Sequence, residues 1–432
     1  MPKLHPLTFI SAALACTLVH AADPAKVPPA ITDVPSEVGV MVGSPPLPEN
    51  QVNLRNYASP RFMRWTLAHM SSVFHTERVS RGSGKPTDLP AGKPLDIDAL
   101  RVDWQGQPTA MAQAFRILGA DAFLVLHRGQ VVFERYFGDM TPTTLHATNS
   151  CTKSFVGTLA ATLANEGKLD LNAPASRYVP ELASSALGPA KIRDLLDMRA
   201  NFRFGDDVHQ AGSLQVGALQ AYGVLPRPPN YTGPDGSIAM MLAAHPTTEH
   251  GVGPMRYDNG SAEALGWVLS RVTGKSVPDL ISERLWQPMG AEQDADFLLD
   301  SRKAPIAAFG LQANARDLAR FGEMIRNQGR VGDKQVVPSA VVSEIRRGGD
   351  RAAFAASPDA AVLPGGSYHD MWWFNHDELD SFQCQGQFAQ RVWIAPKAEV
   401  VIVLLSADPD ASRSREPLRL AAFRAIARAL TN

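Results

Sequence analysis

The sequence predicts an α+β fold: an antiparallel sheet built from N- and C-terminal segments with flanking helices, plus an inserted mainly helical region. Three observations predict it. Ala122-Phe-Leu-Val-Leu126 and Gln130-Val-Val-Phe-Glu-Arg-Tyr-Phe137 are β-rich runs around the turn His127-Arg128-Gly129, which reads as a hairpin. A matching pair near the C-terminus, Gln390 to Ala395 and Glu399 to Leu405, turns at Pro396-Lys397-Ala398. Between them, from about 150 to 345, helical patterns dominate: Ser154 to Glu166, Ala262 to Thr273 and Ala315 to Asn327 are followed by Gly167, Gly274 and Gly329, where left-handed caps fall.

The remaining elements follow in order. Residues 1–21 read as a secretory signal peptide: Lys3 precedes an apolar stretch from Leu7 to Val19, and Val19-His20-Ala21 offers a cleavage site. A lipoprotein reading through Cys16 is weaker, because Ala13 stands where leucine usually precedes the lipidated cysteine. Residues 22–60, with Pro45-Pro46 and Pro48, read as an irregular N-terminal arm, wrapped over a body or partly disordered. Residues 61–432 form the main domain, and 61–118 carry no assignable chemistry. The last segment, Pro417 to Leu430, puts Leu418, Ala421, Ala422, Ala425 and Leu430 on roughly one face, to pack on the sheet.

Composition narrows the function. The chain has 432 residues, a formal net charge of -1 and 45% hydrophobic residues. Near-neutral charge offers no electrostatic footprint for nucleic acid or an acidic membrane. A small-molecule substrate is expected, in the periplasm or outside the cell, without stable membrane insertion after leader cleavage. No His-Glu-x-x-His occurs and only 3 cysteines exist, so neither metal nor other cofactor is expected.

The chemistry begins at Ser150-Cys151-Thr152-Lys153, which opens the first helix of the inserted region. Residues three apart share a helix face, so Lys153 reaches Ser150. The serine amide lies in the first turn, where unpaired donors favour developing negative charge. Apolar packing from Phe155, Val156 and Leu159 desolvates the lysine and equips it as a base. A surface lysine at an ordinary helix start satisfies the tetrapeptide equally. The second piece is Tyr257-Asp258-Asn259, a Tyr-x-Asn in a glycine-flanked loop before the Ala262 helix. A phenol beside a lysine can carry a proton to the leaving atom, and Asn259 can hold Lys153 or the substrate. A plain turn with Asn259 as helix cap is the competing reading.

With these motifs in place the chain resembles the penicillin-recognising serine hydrolases: class C β-lactamases, DD-peptidases and related esterases, and within them the 6-aminohexanoate-dimer hydrolase group. The resemblance spans about residues 40 to 430. Besides the two motifs it rests on Arg61-Phe-Met-Arg-Trp65, Ile192-Arg-Asp-Leu-Leu-Asp-Met198, Gly310 to Arg320 and Tyr368-His-Asp-Met-Trp-Trp373. It implies a Ser150 nucleophile, with Lys153 and Tyr257 sharing acid and base work and Asn259 in support. The family's third motif, Lys-Thr-Gly or a variant, aligns with Cys384-Gln385-Gly386, and Gln387 after it is expected to supply the second oxyanion amide opposite that of Ser150. Losing the motif lysine to Cys384 disfavours penicillins and favours esters or short amides. β-Lactamase or DD-peptidase activity, or a non-catalytic sensing module, are the alternatives.

Trp372, Trp373, Asp206 and Asp207 are candidate cleft residues, with core packing for the tryptophans and a solvated loop for the aspartates as the rival reading. Cys151 and Cys384 border one cleft in a compartment where disulfides persist. A residue one step past Ser150 points about 100° around the helix, so two reduced thiols are expected, with Cα atoms more than ~7 Å apart.

Overall fold

The computed structural model describes residues 29, 31–204, 214–246, 253–410 and 412–431. The first hairpin is β1 (Ala120–His127) and β2 (Gln130–Tyr136). Three strands follow much later in the chain, β3 (Ser367–His369), β4 (Trp372–Phe374) and β5 (Phe382–Gly386), and the closing hairpin is β6 (Gln390–Ala395) with β7 (Val400–Ser406). They form one antiparallel sheet in the order β3-β4-β5-β6-β7-β1-β2. Its central pairing joins the two ends of the chain, with Val400 opposite His127 and Leu405 opposite Ala122.

Helices cover both faces of this sheet, which explains why β7 reads as a nearly unbroken apolar run rather than an alternating one. Four helices bear on the argument: α1 (Thr152–Asn165), α2 (Gly260–Thr273), α3 (Ala315–Arg326) and α4 (Glu416–Thr431). On one face α3 comes so close that a Cβ at Gly322 would lie 2.7 Å from Val401 Cγ1 and 2.8 Å from Val392 Cγ1. On the other face Phe423 of α4 packs on Phe123 and Trp393. The predicted stop of α2 is seen at Gly274, whose φ of 70° lies in the left-handed region.

The largely helical middle also contains strands that periodicity did not reveal. A second antiparallel sheet runs Thr76–Val79, Ala295–Leu298, Leu311–Ala313, His146–Ala147. Its short last strand leads directly into the segment that carries Ser150. Residues 61–118, which had no assigned role, contribute the helix Pro60–Leu67 and the edge strand of this sheet. Arg64 of that helix donates to Asp121 Oδ1 at 2.5 Å, and Asp121 Oδ2 lies 3.1 Å from His146 Nε2, a buried tie between the early helix, β1 and the second sheet.

Candidate active site

Ser150 sits on a 3-10 turn, Asn149–Cys151, one turn ahead of α1 rather than within it. Two threonines fix this turn. Thr148 N and Oγ1 both donate to Leu311 O, at 3.0 and 2.8 Å, and Thr152 Oγ1 donates to Asn149 O at 2.7 Å while accepting from Leu311 N at 3.0 Å. The second sheet therefore grips both sides of the serine. Asn149 adopts φ 47°, a conformation asparagine tolerates better than most residues.

Lys153 is buried, and its Nζ lies 3.2 Å from Ser150 Oγ, 2.8 Å from Asn259 Oδ1 and 2.9 Å from Ala308 O. It also stands 4.9 Å from the centre of the Tyr257 ring. Asn259 precedes α2 but makes no side-chain cap. Asp258 takes that task, accepting from Ser261 N at 2.6 Å and Ser261 Oγ at 3.0 Å, which leaves the Asn259 amide to Lys153. Burial raises the Asp258 carboxyl above its ordinary range, against the pull of the Ser261 amide. Sequence reasoning missed Glu263, one turn further along α2. Its carboxyl oxygens accept from Ala307 N and Ala308 N, both at 3.1 Å, and so orient the Ala308 carbonyl that receives Lys153. Burial pushes Glu263 up to about 8, with the Ala308 and Ala307 amides opposing. The visible signal was a lone acid inside an otherwise apolar helix; the Ala308 carbonyl had none.

Opposite the serine, β5 ends at Gly386 and Gln387. A Cβ at Gly386 would fall 2.2 Å from Thr148 O, so only glycine lets the strand approach the Ser150 turn this closely. Asn149 Nδ2 donates to Gln387 O at 2.9 Å across the same seam. Gln387 thus begins the turn that faces Ser150.

One expectation fails here. Cys151 and Cys384 form a disulfide, with Cα atoms 4.8 Å apart, instead of standing as separate thiols. Cys151 does turn away from the cavity. Strand alternation, however, places Gln385 in the cavity wall and turns Cys384 behind it, into the same seam between turn and sheet.

A cavity of about 370 Å³ opens above Ser150. Its wall includes Ser150, Tyr257, Asn259, Trp373, Gly386 and Gln387. Tyr57 from the N-terminal arm and Met63, Leu67 and Met70 from the segment without assigned chemistry line it too and supply an apolar wall. Trp373 packs 5.1 Å from Tyr257 and carries the Arg413 guanidinium 5.2 Å above its ring. Trp372 does not belong to the cleft. Alternation along β4 sends it to the opposite side, where it stacks 5.9 Å from Phe321 in the core. Asp206 and Asp207 lie outside the described residues.

Among the described residues one set of metal-ligating groups converges, Asp197, His369 and Asp370. Arg193 stands among them, 2.6 Å from Asp370 Oδ1 and 3.3 Å from Asp197 Oδ1, and already supplies the positive charge. Burial opposes charge on His369, but Asp197, bonded at 2.9 Å, and Asp370 outweigh it and raise its pKa. The cluster ties residues 192–198 to the β3–β4 turn. No helix among the described residues is long and apolar enough to cross a membrane.

The fold and this constellation define a serine hydrolase of penicillin-recognising architecture. A family model described as Beta-lactamase matches residues 110–426. Over 350 residues the chain is 30% identical to the 6-aminohexanoate-dimer hydrolase of Paenarthrobacter ureafaciens, covering 80% of this chain and 86% of that one. A solved structure named "Putative 6-aminohexanoate-dimer hydrolase from Bacillus anthracis" is 32% identical with a TM-score of 0.80, over 89% of this chain and 98% of that one. A family VIII carboxylesterase shares the fold, with a TM-score of 0.51 at 20% identity over 70% of this chain and 92% of that one. The chain belongs to the Beta-lactamase family.

Proposed function

We propose that the protein hydrolyses small-molecule esters or short linear amides through an acyl-enzyme on Ser150. The observation that carries this reading is the surroundings of Lys153 Nζ, with Ser150 Oγ, Asn259 Oδ1 and Ala308 O all within 3.2 Å. A neutral amine has two N–H bonds and one lone pair. When the two carbonyl oxygens take the N–H bonds, the lone pair is left facing the serine hydroxyl.

The steps follow from that geometry. Ser150 Oγ attacks the substrate carbonyl as its proton passes to the Lys153–Tyr257 pair, which acts as one titrating unit. The tetrahedral oxygen faces the amides of Ser150 and Gln387. The pair returns the proton to the departing alcohol or amine. Water then attacks the ester carbonyl, losing its proton to the same pair, which passes it to Ser150 Oγ as the bond between Oγ and the acyl carbon breaks.

The substrate class rests on two supports. The names of the relatives point to linear amides, and the third-motif position holds Cys384, bonded to Cys151, instead of the lysine of the penicillin-hydrolysing relatives. Export to the periplasm or beyond is part of the proposal: the leader-like N-terminus suggests it, and a disulfide between Cys151 and Cys384 suits an oxidising compartment. The test is a panel of p-nitrophenyl acetate and butyrate, the 6-aminohexanoate dimer and nitrocefin, with fluorophosphonate labelling located by peptide mass. Ester or dimer turnover with the label on Ser150 is expected. Nitrocefin as the best substrate refutes the substrate class, and a label elsewhere refutes the nucleophile.

A further inference from the structure

Two backbone amides must face one oxygen for an oxyanion hole to work, and here they come from segments far apart in sequence. The Ser150 amide belongs to the turn before α1, and the Gln387 amide follows β5. Nothing in the sheet ladder fixes the distance between them, because the turn is not a strand of that sheet. Three contacts cross the seam instead. Gly386 lies against Thr148 O, Asn149 Nδ2 donates to Gln387 O at 2.9 Å, and Cys151 is bonded to Cys384. The third is covalent. It joins the residue directly after one donor to a residue three places before the other. Both cysteines are buried, at 1% and 0% exposure, and neither lines the cavity, so the bond touches no substrate.

We infer that the Cys151–Cys384 disulfide is a positioning element that sets the spacing of the Ser150 and Gln387 amides for the transition state. The inference rests on the Ser150 acyl-enzyme proposed above. Oxyanion donors act only if preorganised, because reorientation during the reaction forfeits their advantage, and losing one donor outright typically lowers kcat by about 10²–10³-fold. Loosening the seam while keeping both amides falls short of that, at roughly 10- to 100-fold. The effect belongs in kcat, since the neutral ground-state carbonyl gains less from the pair than the anion does.

The test compares wild type with Cys151→Ala/Cys384→Ala, and with Cys151→Ala/Cys384→Val, whose valine refills the strand position should the first variant not fold. Steady-state kinetics on p-nitrophenyl butyrate are run well below each protein's melting temperature. The Ki of an alkyl boronic acid, which forms a tetrahedral adduct on serine, is measured alongside. The expected result is a 10- to 100-fold fall in kcat, KM within about threefold, and a boronate Ki raised in proportion to the loss of kcat/KM. A purely structural bond would lower the melting temperature and leave kcat and Ki near wild type, and that result overturns the inference. Failure of both variants to fold also overturns it, by making the bond a requirement of folding. Fluorophosphonate labelling of the wild type reports separately on the nucleophile: a label absent from Ser150 overturns the underlying reading whatever the cysteine variants do.

Discussion

Two of the regions that bury cations surround them differently. Lys153 is met by a serine hydroxyl, an asparagine oxygen and a backbone carbonyl. Arg391 and Arg419, in the wall of the same cavity, converge on Glu416: Arg391 Nη2 lies 2.6 Å from Glu416 Oε2, and Arg419 bonds both Glu416 and Asp408. Burial opposes charge on Glu416, yet the two arginines hold its carboxyl well below the ordinary range. Carboxylates lock a guanidinium that never titrates into a permanent ion cluster. Neutral oxygens solvate an amine whether or not it carries its extra proton, which suits a group that must give and take one. The carboxylate cluster suits a structural tie, and the neutral shell around Lys153 suits proton transfer.

The contrast predicts a graded set of responses. Ser150→Ala should lower ester turnover by at least about 10⁴-fold with an unchanged melting curve, because the hydroxyl supplies the bond-forming atom and little packing. Lys153→Ala should come within about tenfold of that loss, since members of a catalytic unit are not additive, and Lys153→Arg should fail to rescue it because a guanidinium holds its proton. Wild-type-like hydrolysis in any of these breaks the comparison. Glu416→Ala should show the opposite pattern, costing about 3–5 kcal/mol in chemical denaturation by stranding buried arginines. Its kcat, measured on the folded fraction, should remain within about tenfold of wild type; a larger loss would make the ion cluster part of the chemistry. Asn259→Ala should lower kcat by roughly 10- to 100-fold, removing one of the groups that aim the amine.

The smallest effect concerns pH. Glu263 is raised in the fold from 4.5 to about 8, so the folded protein keeps a proton there that the unfolded chain has released. Its contribution to stability is complete below about pH 4.5 and is lost as pH rises through about 8. Urea titrations at pH 5 and pH 8 should show a smaller difference for Glu263→Gln than for wild type. An equal difference would place the charge elsewhere.

Much of this arrangement was legible in the sequence, for identifiable reasons. The two hairpins showed themselves because local β-rich runs flank short turns, and Ser150 with Lys153 because a helical spacing implies contact. Besides Glu263 and the Ala308 carbonyl, three features stayed hidden. The second sheet is made of strands two to four residues long, too short for periodicity to register. Trp372 and Trp373 are alike in composition, and only the β4 register separates a core side chain from a cavity wall. The direction of Cys151 was legible, but where it met Cys384 depended on the approach permitted by Gly386, which is tertiary geometry.

The sheet's central pairing has a consequence for the order of folding. β1 and β7 are neighbours, with Val403 opposite Leu124, yet they lie far apart in sequence and β7 is made long after β1. Until β7 arrives, β1 presents an apolar strand with one unpaired edge, a template for pairing with another chain. Contacts of such long sequence separation close slowly, because the loop entropy is spent before they form. The nucleophile turn, β5 and their disulfide fall inside that unclosed loop. The two sides of the candidate site are thus tied within a loop that closes only when β7 pairs with β1.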